Sequence, residues 1–430
     1  MSPLPLLEDV PRRLLDVARA RLLDEPVVAV QGPRSVGKST LLAAIADALG
    51  AEVFDLDDLA VRDAVRRDPG SFVSGSTPVC IDEFQHVPEV LDAIKAELNR
   101  DLRAGRFVLT GSTRFDALPR AAQSLTGRLH LLTTWPLSQG EIDGTRENVV
   151  EVLFDDPGSV TTRAVSSTSK ADYIERIVAG GMPIALRRSS VPARQRWFDD
   201  YVRLVIDRDV GELSHLRQAN QLPDLLRRLA GQTGQVLNVA KAADGLGVSR
   251  TTAADYVKLL ESVFLVHRLE AWGRTLRARA AGTPKLHMVD SGVAARLLRL
   301  TPDKLLRRDP ASLSEFGHLL ETFVVAELLK QASWLEDIAG YGHWRTHDGD
   351  EVDLVIERGD GAVIAFEVKA AARVPGEDLR GLRKLREALG DAFIAGVALY
   401  TGARTYQHED RLWVMPLDRV WHPIAPEGVA

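Results

Sequence analysis

The chain has 430 residues, of which 45% are apolar and 27% are charged, and its formal net charge is −6. These values are typical of globular proteins and exclude a mostly disordered chain, while the length predicts several domains because a single core stops growing at about 250–300 residues. The one cysteine, Cys80, excludes an intramolecular disulfide framework and a zinc site built from cysteines.

Neither the N-terminus nor the apolar runs indicate export or membrane insertion. Residues 1–10 carry Glu8 and Asp9 and lack the basic and apolar segments of a signal peptide. The longest apolar run, 392–400, is far shorter than the roughly 18 residues that a membrane span needs. We therefore expect a cytoplasmic protein with no membrane partner.

The net charge is unevenly distributed along the chain. Residues 186–308 hold 22 basic and 12 acidic side chains, whereas the segments on either side are acidic. A basic region of this size favours binding of a polyanion such as DNA. The alternative is that its arginine-rich helices are simply solvated.

Residues 1–150 alternate between short apolar runs and helical segments. Continuous apolar strands separated by helices indicate a parallel sheet that is buried on both faces. We therefore predict an α/β domain here. Its predicted strands are Val27–Gln31, Val79–Ile81 and Phe107–Thr110, and its predicted helices are Lys38–Leu49 and Pro88–Leu98.

The first strand leads into a complete phosphate-binding motif of the form G-x-x-x-x-G-K-[ST]. Gly32 and Gly37 let the backbone curl around phosphate oxygens, and Lys38 reaches the β- and γ-phosphates. Ser39 is the expected Mg²⁺ ligand. We expect ATP to be held by Gly32, Pro33, Arg34, Ser35, Val36, Gly37, Lys38, Ser39 and Thr40.

Three further elements complete the predicted ATP site. The strand at 79–81 ends in Asp82, placed to hold Mg²⁺ through water, and Glu83, placed to orient and deprotonate the attacking water. The strand at 107–110 should present Ser112 beside the γ-phosphate. Arg128 is a candidate arginine finger, acting in trans if the subunits form a ring. Arg114 and Arg120 compete for that role, and the alternative for Arg128 is an ordinary surface arginine.

The middle of the chain has a helical pattern. A polar stretch at 155–170 closes the first domain, and residues 151–235 are interpreted as a linker and helical lid region. Residues 236–284 contain a helix that ends at Gly245–Gly247, followed by a second helix with Ser249 as its N-cap. Two helices joined by a short glycine-containing turn form a helix-turn-helix.

This helix-turn-helix lies inside the basic region, so we predict a winged helix that contacts DNA. Phe264–Leu269 and Arg274–Arg279 could build the wing. Such folds also serve as protein–protein modules, and that alternative stays open. The side chains expected to face DNA are Arg250, Thr251, Thr252 and Lys258.

Residues 285–430 contain a predicted hairpin with acidic residues. A Gly-Asp-Gly turn centred on Asp360 joins two alternating runs and places Asp353 opposite Glu367. Both share one face with Lys369, while even-numbered apolar residues form the other. Like charges about 5 Å apart repel, so a divalent metal between these carboxylates would explain the arrangement. The turn could instead shift the register by one residue.

These motifs together resemble a prokaryotic AAA-type P-loop ATPase family. The resemblance rests on the ATP-site motifs, on Pro136-Leu-Ser138 with Glu141, on Gly180-Gly-Met-Pro183, on Arg208-Asp209 and on Asp290-Ser-Gly292. In that family the ATPase domain is joined to a C-terminal domain of uncharacterised function with a restriction-endonuclease-like fold. The resemblance implies an α/β fold class with three parts: an AAA-type P-loop sheet, a helical winged-helix middle and a C-terminal endonuclease-like α+β domain.

The hairpin itself is similar to the D…E-x-K arrangement of the PD-(D/E)XK nucleases. That resemblance implies Mg²⁺ or Mn²⁺ bound by Asp353 and Glu367, with Lys369 helping to activate water. Glu321, on an amphipathic helix predicted over Ser314–Lys330, matches the helical acid of the pattern. The alternative is a metal-free relic that binds DNA or only packs the protein.

We therefore expect an ATPase that acts on DNA, that assembles as a homo-oligomeric ring, and that carries a nuclease-like C-terminal domain, with metal-dependent DNA cleavage by that domain left open. One alternative is a translocase or branch-migration motor with an idle nuclease site. Another is a non-nucleolytic ATP-dependent switch that recruits partners.

Overall fold

The first sheet carries the phosphate-binding loop at one end. In the computed structural model, which describes residues 6, 10–75, 78–118, 125–211, 221–275, 282–307 and 310–424, this sheet has five parallel strands in the order β2-β3-β4-β1-β5. The strands are β1 (Val27–Gln31), β2 (Val53–Asp55), β3 (Val79–Asp82), β4 (Phe107–Gly111) and β5 (Leu129–Thr133). The helices around it are α1 (Arg13–Arg21), α2 (Lys38–Leu49), α3 (Leu59–Arg67), α4 (Pro69–Val73) and α5 (Val90–Leu98).

The predicted parallel sheet is confirmed. Apolar side chains from β1, β3 and β4 alternate between two hydrophobic clusters, one on each face of the sheet, which is why these strands are continuous apolar runs. Because β1, β3 and β4 are parallel neighbours, their carboxyl ends meet at one edge. The residues that follow them, from Gly32, Asp82 and Ser112 onward, therefore meet there.

Helices follow the sheet, as the pattern predicts. Proline lies in the first turn of three of them, at Pro183, Pro192 and Pro223, where its missing N–H has no helical partner to lose. The second of these continues into a π-helical segment, Val205–Val210. The helices are α6 (Gln139–Asp143), α7 (Val149–Asp155), α8 (Lys170–Ala179), α9 (Pro183–Leu186), α10 (Val191–Leu204) and α11 (Leu222–Ala230).

The middle region has a helix pair beside a three-stranded antiparallel sheet of order β6-β8-β7. Its elements are β6 (Gln235–Val236), α12 (Val239–Ala243), α13 (Arg250–Ser262), β7 (Val266–Leu269) and β8 (Lys285–Met288). The predicted N-cap is confirmed, because the Ser249 side chain accepts a hydrogen bond from the Thr252 N–H at 3.0 Å. The two-helix arrangement is therefore present.

The predicted wing lies partly outside the described residues. Its Phe264–Leu269 part contains β7, which pairs with β8, and residues 276–279 of its Arg274–Arg279 part lie outside the described part of the chain. Arg274 donates to the Leu389 carbonyl at 3.1 Å. Strand β8 was assigned from sequence to the C-terminal domain, but its hydrogen bonds are to the middle sheet.

The C-terminal region is a six-stranded mixed sheet of order β13-β14-β12-β11-β10-β9. Its strands are β9 (Ile338–Arg345), β10 (Glu351–Arg358), β11 (Val363–Lys369), β12 (Phe393–Tyr400), β13 (Tyr406–Glu409) and β14 (Leu412–Pro416). The helices here are α14 (Ser291–Leu297), α15 (Pro302–Leu306), α16 (Pro310–Trp334) and α17 (Arg380–Leu389). The predicted hairpin register is confirmed, since Leu354 pairs with Phe366 and Ile356 with Ile364.

Two details of this region depart from the sequence prediction. Val352 packs in the cluster on the α17 side with Val355, whereas Leu354 lies in the opposite cluster, because a register irregularity between Val352 and Val355 breaks the alternation. Helix α16 is not amphipathic: it contacts α1, α7 and α14 as well as β10 and β11, and its buried side chains occupy every face.

No helix in the described ranges is long and apolar enough to cross a membrane.

Candidate nucleotide-binding site

The phosphate-binding loop has the backbone that its sequence predicts. Gly37 adopts φ +96° as the N-cap of α2, a left-handed conformation that favours glycine. A Cβ at Gly32 would overlap the carbonyl oxygen of Thr134, so this position also needs glycine. Pro33 and Val36 are buried, whereas Ser35, Ser39 and Thr40 are exposed. The exposed hydroxyls and the first turn of α2 are open to a ligand.

A cavity of about 310 Å³ lies over the loop. Its wall includes apolar side chains that sequence reasoning missed, because they come from segments far apart in the chain. Leu6 and Val10 come from the N-terminal segment and Leu137 from the residues after β5. Pro183 and Ile184 come from α9, which Arg187 follows. The cavity thus offers a polar floor for phosphates and an apolar wall for a flat base.

Lys38 is buried at the centre of the loop. Its Nζ donates to the carbonyl oxygens of Gly32 at 3.2 Å and Pro33 at 2.9 Å, and lies 4.0 Å from Glu83 Oε1. Burial lowers the pKa of Lys38, and the charges of Glu83 and Asp82 oppose that shift. The ammonium is therefore held where phosphate oxygens would complete its solvation.

Asp82, Glu83 and Ser112, all predicted from sequence to belong to the ATP site, lie at the ends of the neighbouring strands β3 and β4. Ser112 Oγ donates to Glu83 Oε2 at 3.0 Å, and the Thr110 hydroxyl donates to Asp82. Glu83 has φ +50°, an uncommon conformation for a non-glycine residue that is frequent at functional sites. The Gln85 side chain, missed by the sequence interpretation, donates to Glu83 and lies 3.1 Å from Ser112 Oγ.

These residues fit the metal that an ATP site requires. The Ser39 hydroxyl is exposed at the start of α2, and the Asp82 carboxylate lies at the end of β3, two strand positions from β1 in the sheet. Hydroxyl and carboxylate oxygens are the ligands that Mg²⁺ prefers. Ser39 and Asp82 would hold Mg²⁺ directly or through water.

Two arginines join the loop to other parts of the molecule. Arg34 Nε lies 2.6 and 2.8 Å from the two carboxylate oxygens of Asp209, a buried residue of the π-helical segment. Arg12 donates to the carbonyls of Val36 at 2.8 Å and Trp135 at 2.7 Å. Arg34 was predicted to hold ATP, but its ion pair with Asp209 has no sequence signal beyond the family resemblance of Arg208-Asp209.

The segment that leads into α9 is attached to the start of α14 through Asp290. The Asp290 carboxylate accepts the Gly181 N–H at 2.7 Å and caps α14 by accepting the Val293 N–H at 2.9 Å. Gly180, at φ +68°, has no room for a Cβ beside this carboxylate. The Gly180-Gly181 and Asp290-Ser-Gly292 motifs, 110 positions apart, thus contact each other directly.

Of the candidate arginine fingers, the two that the structure describes, Arg128 and Arg114, make their contacts away from the phosphate-binding loop. Arg128 precedes β5 at the amino-terminal end of the sheet and donates to Asn99 Oδ1 at 2.7 Å, about 16 Å of strand from the loop end. Arg114 lies 3.6 Å from Glu261, and its N–H donates to the Ser262 carbonyl at 2.9 Å, both at the end of α13. Arg120 lies outside the described residues.

The residues predicted to face DNA lie on α13. Arg250, Thr251 and Lys258 are exposed, and Thr252 is half-buried. Lys258 Nζ lies 3.4 Å from Asp255, a weak exposed ion pair. The opposite face of α13 is buried through Ala253, Tyr256, Val257 and Leu260.

The carboxylates of the C-terminal hairpin surround a lysine from the middle sheet. Lys285 Nζ lies 2.8 Å from Glu321, 2.7 Å from Glu351 and 2.9 Å from Asp353. Beside them, Lys369 Nζ lies 2.7 Å from Glu367 Oε1. Glu351 and Lys285 were absent from the sequence prediction. We call these six residues the carboxylate cluster.

The electrostatics of the carboxylate cluster follow from burial. Burial raises the pKa of Glu321 well above its ordinary value, and the charge of Asp353 adds to the shift. Burial, again with Asp353, raises the pKa of Glu367 to about 8, against the opposing charge of Lys369. Burial would lower the pKa of Lys285, but the surrounding carboxylates raise it overall. Within the described residues, no group of three or more His, Cys, Asp and Glu side chains is arranged to hold a metal ion.

Three families match parts of the chain. Residues 24–143 match the AAA domain family. Residues 170–304 match the domain of unknown function DUF8612, and residues 316–420 match the domain of unknown function DUF4143. The first match agrees with the P-loop and the five-stranded parallel sheet and supports an AAA-type P-loop ATPase domain. The endonuclease-like identity of the C-terminal region stays a prediction.

The chain is also similar to two proteins over nearly its whole length. The uncharacterized proteins Mb2031c of Mycobacterium bovis and Rv2008c of Mycobacterium tuberculosis are each 29% identical over 405 residues, which are 94% of this chain and 82% of the relative. Their names state no activity.

Among solved structures, the Walker-type ATPase PABY2304 of Pyrococcus abyssi overlaps at a TM-score of 0.41 and 16% identity, over 69% of this chain and 98% of that one. The RuvB Holliday junction branch migration motor of Thermotoga maritima overlaps at a TM-score of 0.28 and 15% identity, over 60% of this chain and 90% of that one. These overlaps are too partial to bear on the function of this chain.

Proposed function

We propose that this protein binds and hydrolyses ATP and uses the nucleotide state to change the position of its middle region. The observation that carries the proposal is the buried contact between Glu83 and Ser112 at the ends of adjacent strands, 4.0 Å from Lys38. A carboxylate held this way beside a P-loop is positioned to accept a proton from an attacking water.

Each residue of the site has a separate task in this reaction. The loop N–H groups and Lys38 bind the phosphates, and Ser112 and Gln85 orient the Glu83 carboxylate. Ser39 and Asp82 would hold Mg²⁺, which when bound would neutralise charge on the phosphates. Glu83 takes the proton from water as the terminal phosphoryl group is released.

Three contacts link this site to the π-helical segment, to the middle region and to the start of α14. Arg34 of the loop pairs with Asp209, and Gly181 beside the cavity binds Asp290. Arg114, two residues after Ser112, binds the end of α13 through Ser262. Since each contact begins within two to four residues of a group expected to touch ATP, a nucleotide-dependent shift there would reach α10, α13 and α14. A ligand changes conformation only through such differential contacts.

The Arg34–Asp209 contact offers the direct test. Asp209→Asn is expected to remove the difference in amide exchange over Val205–Val210 that a non-hydrolysable ATP analogue produces in the wild-type protein. ATP affinity is expected to stay within about tenfold of wild type, because Lys38 and the loop N–H groups remain. Hydrogen exchange with mass spectrometry and a titration with the analogue measure both.

The matched control is Asp199→Asn, which removes an exposed ion pair with Arg296 in the same region. It should leave the exchange difference unchanged. If the exchange difference is undiminished in Asp209→Asn, this ion pair does not transmit the conformational change that nucleotide binding causes.

DNA is the partner that the surface of α13 favours. Arg250, Thr251 and Lys258 are exposed on this helix, which lies within the basic segment and is joined to Ser112 through Arg114. Helix-turn-helix proteins present such side chains to bases and phosphates. We therefore propose DNA as the partner of the switch, with protein recruitment through the same surface as the competing outcome.

Removing two positive charges from α13 tests the DNA proposal. The Arg250→Ala/Lys258→Ala variant is expected to bind duplex DNA about tenfold more weakly in low salt and to reduce the slope of log K against log[salt] by about 2. Fluorescence anisotropy over a salt series measures both.

The charge-matched control is Lys95→Ala/Arg100→Ala, at α5 and two residues after its end, which removes two exposed charges from the ATPase domain. It should leave DNA affinity unchanged. Equal loss in both variants would indicate non-specific attraction, and no DNA binding by the wild-type protein would leave protein recruitment as the function of α13.

A ring of subunits and an action of Arg128 in trans belong to the same proposal. Arg128 lies at the far end of its own sheet from the loop. The nucleotide that it could contact is therefore one bound by a neighbouring subunit. A translocase with an idle nuclease site would differ from the switch by unwinding branched DNA.

A further inference from the structure

The carboxylate cluster is the place where sequence and structure differ most in chemistry. The sequence predicts a divalent metal between Asp353 and Glu367, with Glu321 nearby. In the structure the cation between Glu321 and Asp353 is the ammonium of Lys285, whose side chain is only 1% exposed. Lys285 lies outside the sequence motif and comes from the middle sheet.

The hydrogen bonds of Lys285 are complete. An ammonium has three N–H donors, and three carboxylate oxygens, from Glu321, Glu351 and Asp353, lie 2.7–2.9 Å from Nζ. The second Asp353 oxygen accepts the Val368 N–H at 2.9 Å. Both oxygens of the acid expected to be the principal metal ligand are thus already bonded within the protein.

The distances around Lys285 Nζ are those of hydrogen bonds to an ammonium. Oxygen ligands lie about 2.0–2.1 Å from Mg²⁺, whereas the three carboxylate oxygens surround the Lys285 nitrogen at 2.7–2.9 Å. Glu367 Oε1 lies 2.7 Å from Lys369 Nζ, and within the described residues Glu367 Oε2 is buried without a hydrogen-bond partner. With Lys285 in place, Glu321, Glu351 and Asp353 therefore do not fit the metal that the nuclease resemblance implies.

We propose that Lys285 is a built-in cation that takes the place of a metal ion at Asp353 and keeps the C-terminal domain metal-free and non-nucleolytic. The lysine is carried by β8, whose hydrogen bonds hold it to β6 and β7. The cluster accordingly ties the middle sheet to α16 and β10. This proposal is independent of ATP binding and of the DNA contact of α13.

The experiment measures Mn²⁺ binding without nucleotide, by calorimetry and by electron paramagnetic resonance of free Mn²⁺. The variants are Lys285→Ala, Lys285→Ala/Asp353→Asn and Asp353→Asn, beside the wild-type full chain. Lys285→Ala is expected to bind Mn²⁺ at least about tenfold more tightly than wild type. This gain should vanish in Lys285→Ala/Asp353→Asn, and the wild-type protein should show no Mn²⁺ binding that depends on Asp353.

Thermal unfolding is a second readout. Removing Lys285 leaves buried carboxylates without their counter-ion, so the apparent Tm of Lys285→Ala should fall by on the order of 10 °C and partly recover in Mn²⁺. Lys304→Ala, which removes an exposed lysine of α15, is the control and should leave the Tm unchanged.

Two results would overturn the proposal. One is Mn²⁺ binding, or Mn²⁺-dependent cleavage of plasmid DNA, by the wild-type protein that Asp353→Asn abolishes. The other is a folded Lys285→Ala protein that gains no Mn²⁺ binding. Should Lys285→Ala fail to fold, the comparison of wild type with Asp353→Asn still decides whether the native cluster takes a metal.

Discussion

Glu83→Gln is expected to bind ATP as the wild-type protein does and to hydrolyse it about 100- to 10,000-fold more slowly, the range of effects when a general base is removed. An amide has nearly the shape of the carboxylate and can still accept from Ser112 and Gln85, so the geometry of the site should persist. It cannot take the proton from water. Phosphate release and binding of a fluorescent ATP analogue measure the two properties separately.

Glu52→Gln, an exposed residue of the same domain, is the matched control and should hydrolyse ATP at the wild-type rate. Hydrolysis by Glu83→Gln at that rate would refute the assignment of Glu83 as the base. Loss of binding together with turnover would place Glu83 among the ATP-binding groups.

Lys38→Ala is expected to weaken ATP binding by about 30- to 3,000-fold, corresponding to about 2–5 kcal/mol for the loss of one partner of a buried charged contact. In contrast to the loss of ATP affinity, the thermal stability of the Lys38→Ala protein should change little. Burial lowers the pKa of Lys38, so the folded protein without ligand disfavours the charged form, and at neutral pH the ammonium costs folding free energy. Alanine removes that cost together with the hydrogen bonds that Lys38 Nζ donates to the Gly32 and Pro33 carbonyls, so the two effects oppose each other and the Tm should change little.

Lys95→Ala, on the exposed face of α5, is the control for charge and should leave both affinity and Tm unchanged. Titration with the fluorescent analogue and thermal unfolding are the measurements. Wild-type affinity in Lys38→Ala would mean that the cavity over the loop does not hold the phosphates of ATP.

The parts of the site that were predictable lie on contiguous motifs. The Gly32–Thr40 loop, Asp82 with Glu83, and Ser112 each follow a short apolar strand, and parallel strands bring their carboxyl ends together. Local sequence therefore carries both the chemistry and its placement. The register of the β10–β11 hairpin was predictable for the same reason, since a short turn between alternating runs sets which residues are opposite.

The contacts that no motif announced are all long-range. Gln85 could have been suspected from its position two residues after Glu83, but Arg34–Asp209 and Gly181–Asp290 join residues more than 100 positions apart. Helix α16 shows the same limit, because an amphipathic pattern was expected where neighbours cover every face. Periodicity indicates a buried face only when one side of a helix remains in water.

By itself the sequence determined an ATP-binding α/β domain, a helix pair in a basic region and a hairpin that brings Asp353 and Glu367 together. Only the tertiary structure decided which cation those carboxylates meet. Lys285 reaches Asp353 from another sheet, 68 positions earlier in the chain, whereas Glu367 pairs with Lys369. A buried carboxylate must be neutralised by some cation or proton, but its own sequence motif does not specify whether that charge is a metal ion or the side chain of a distant residue.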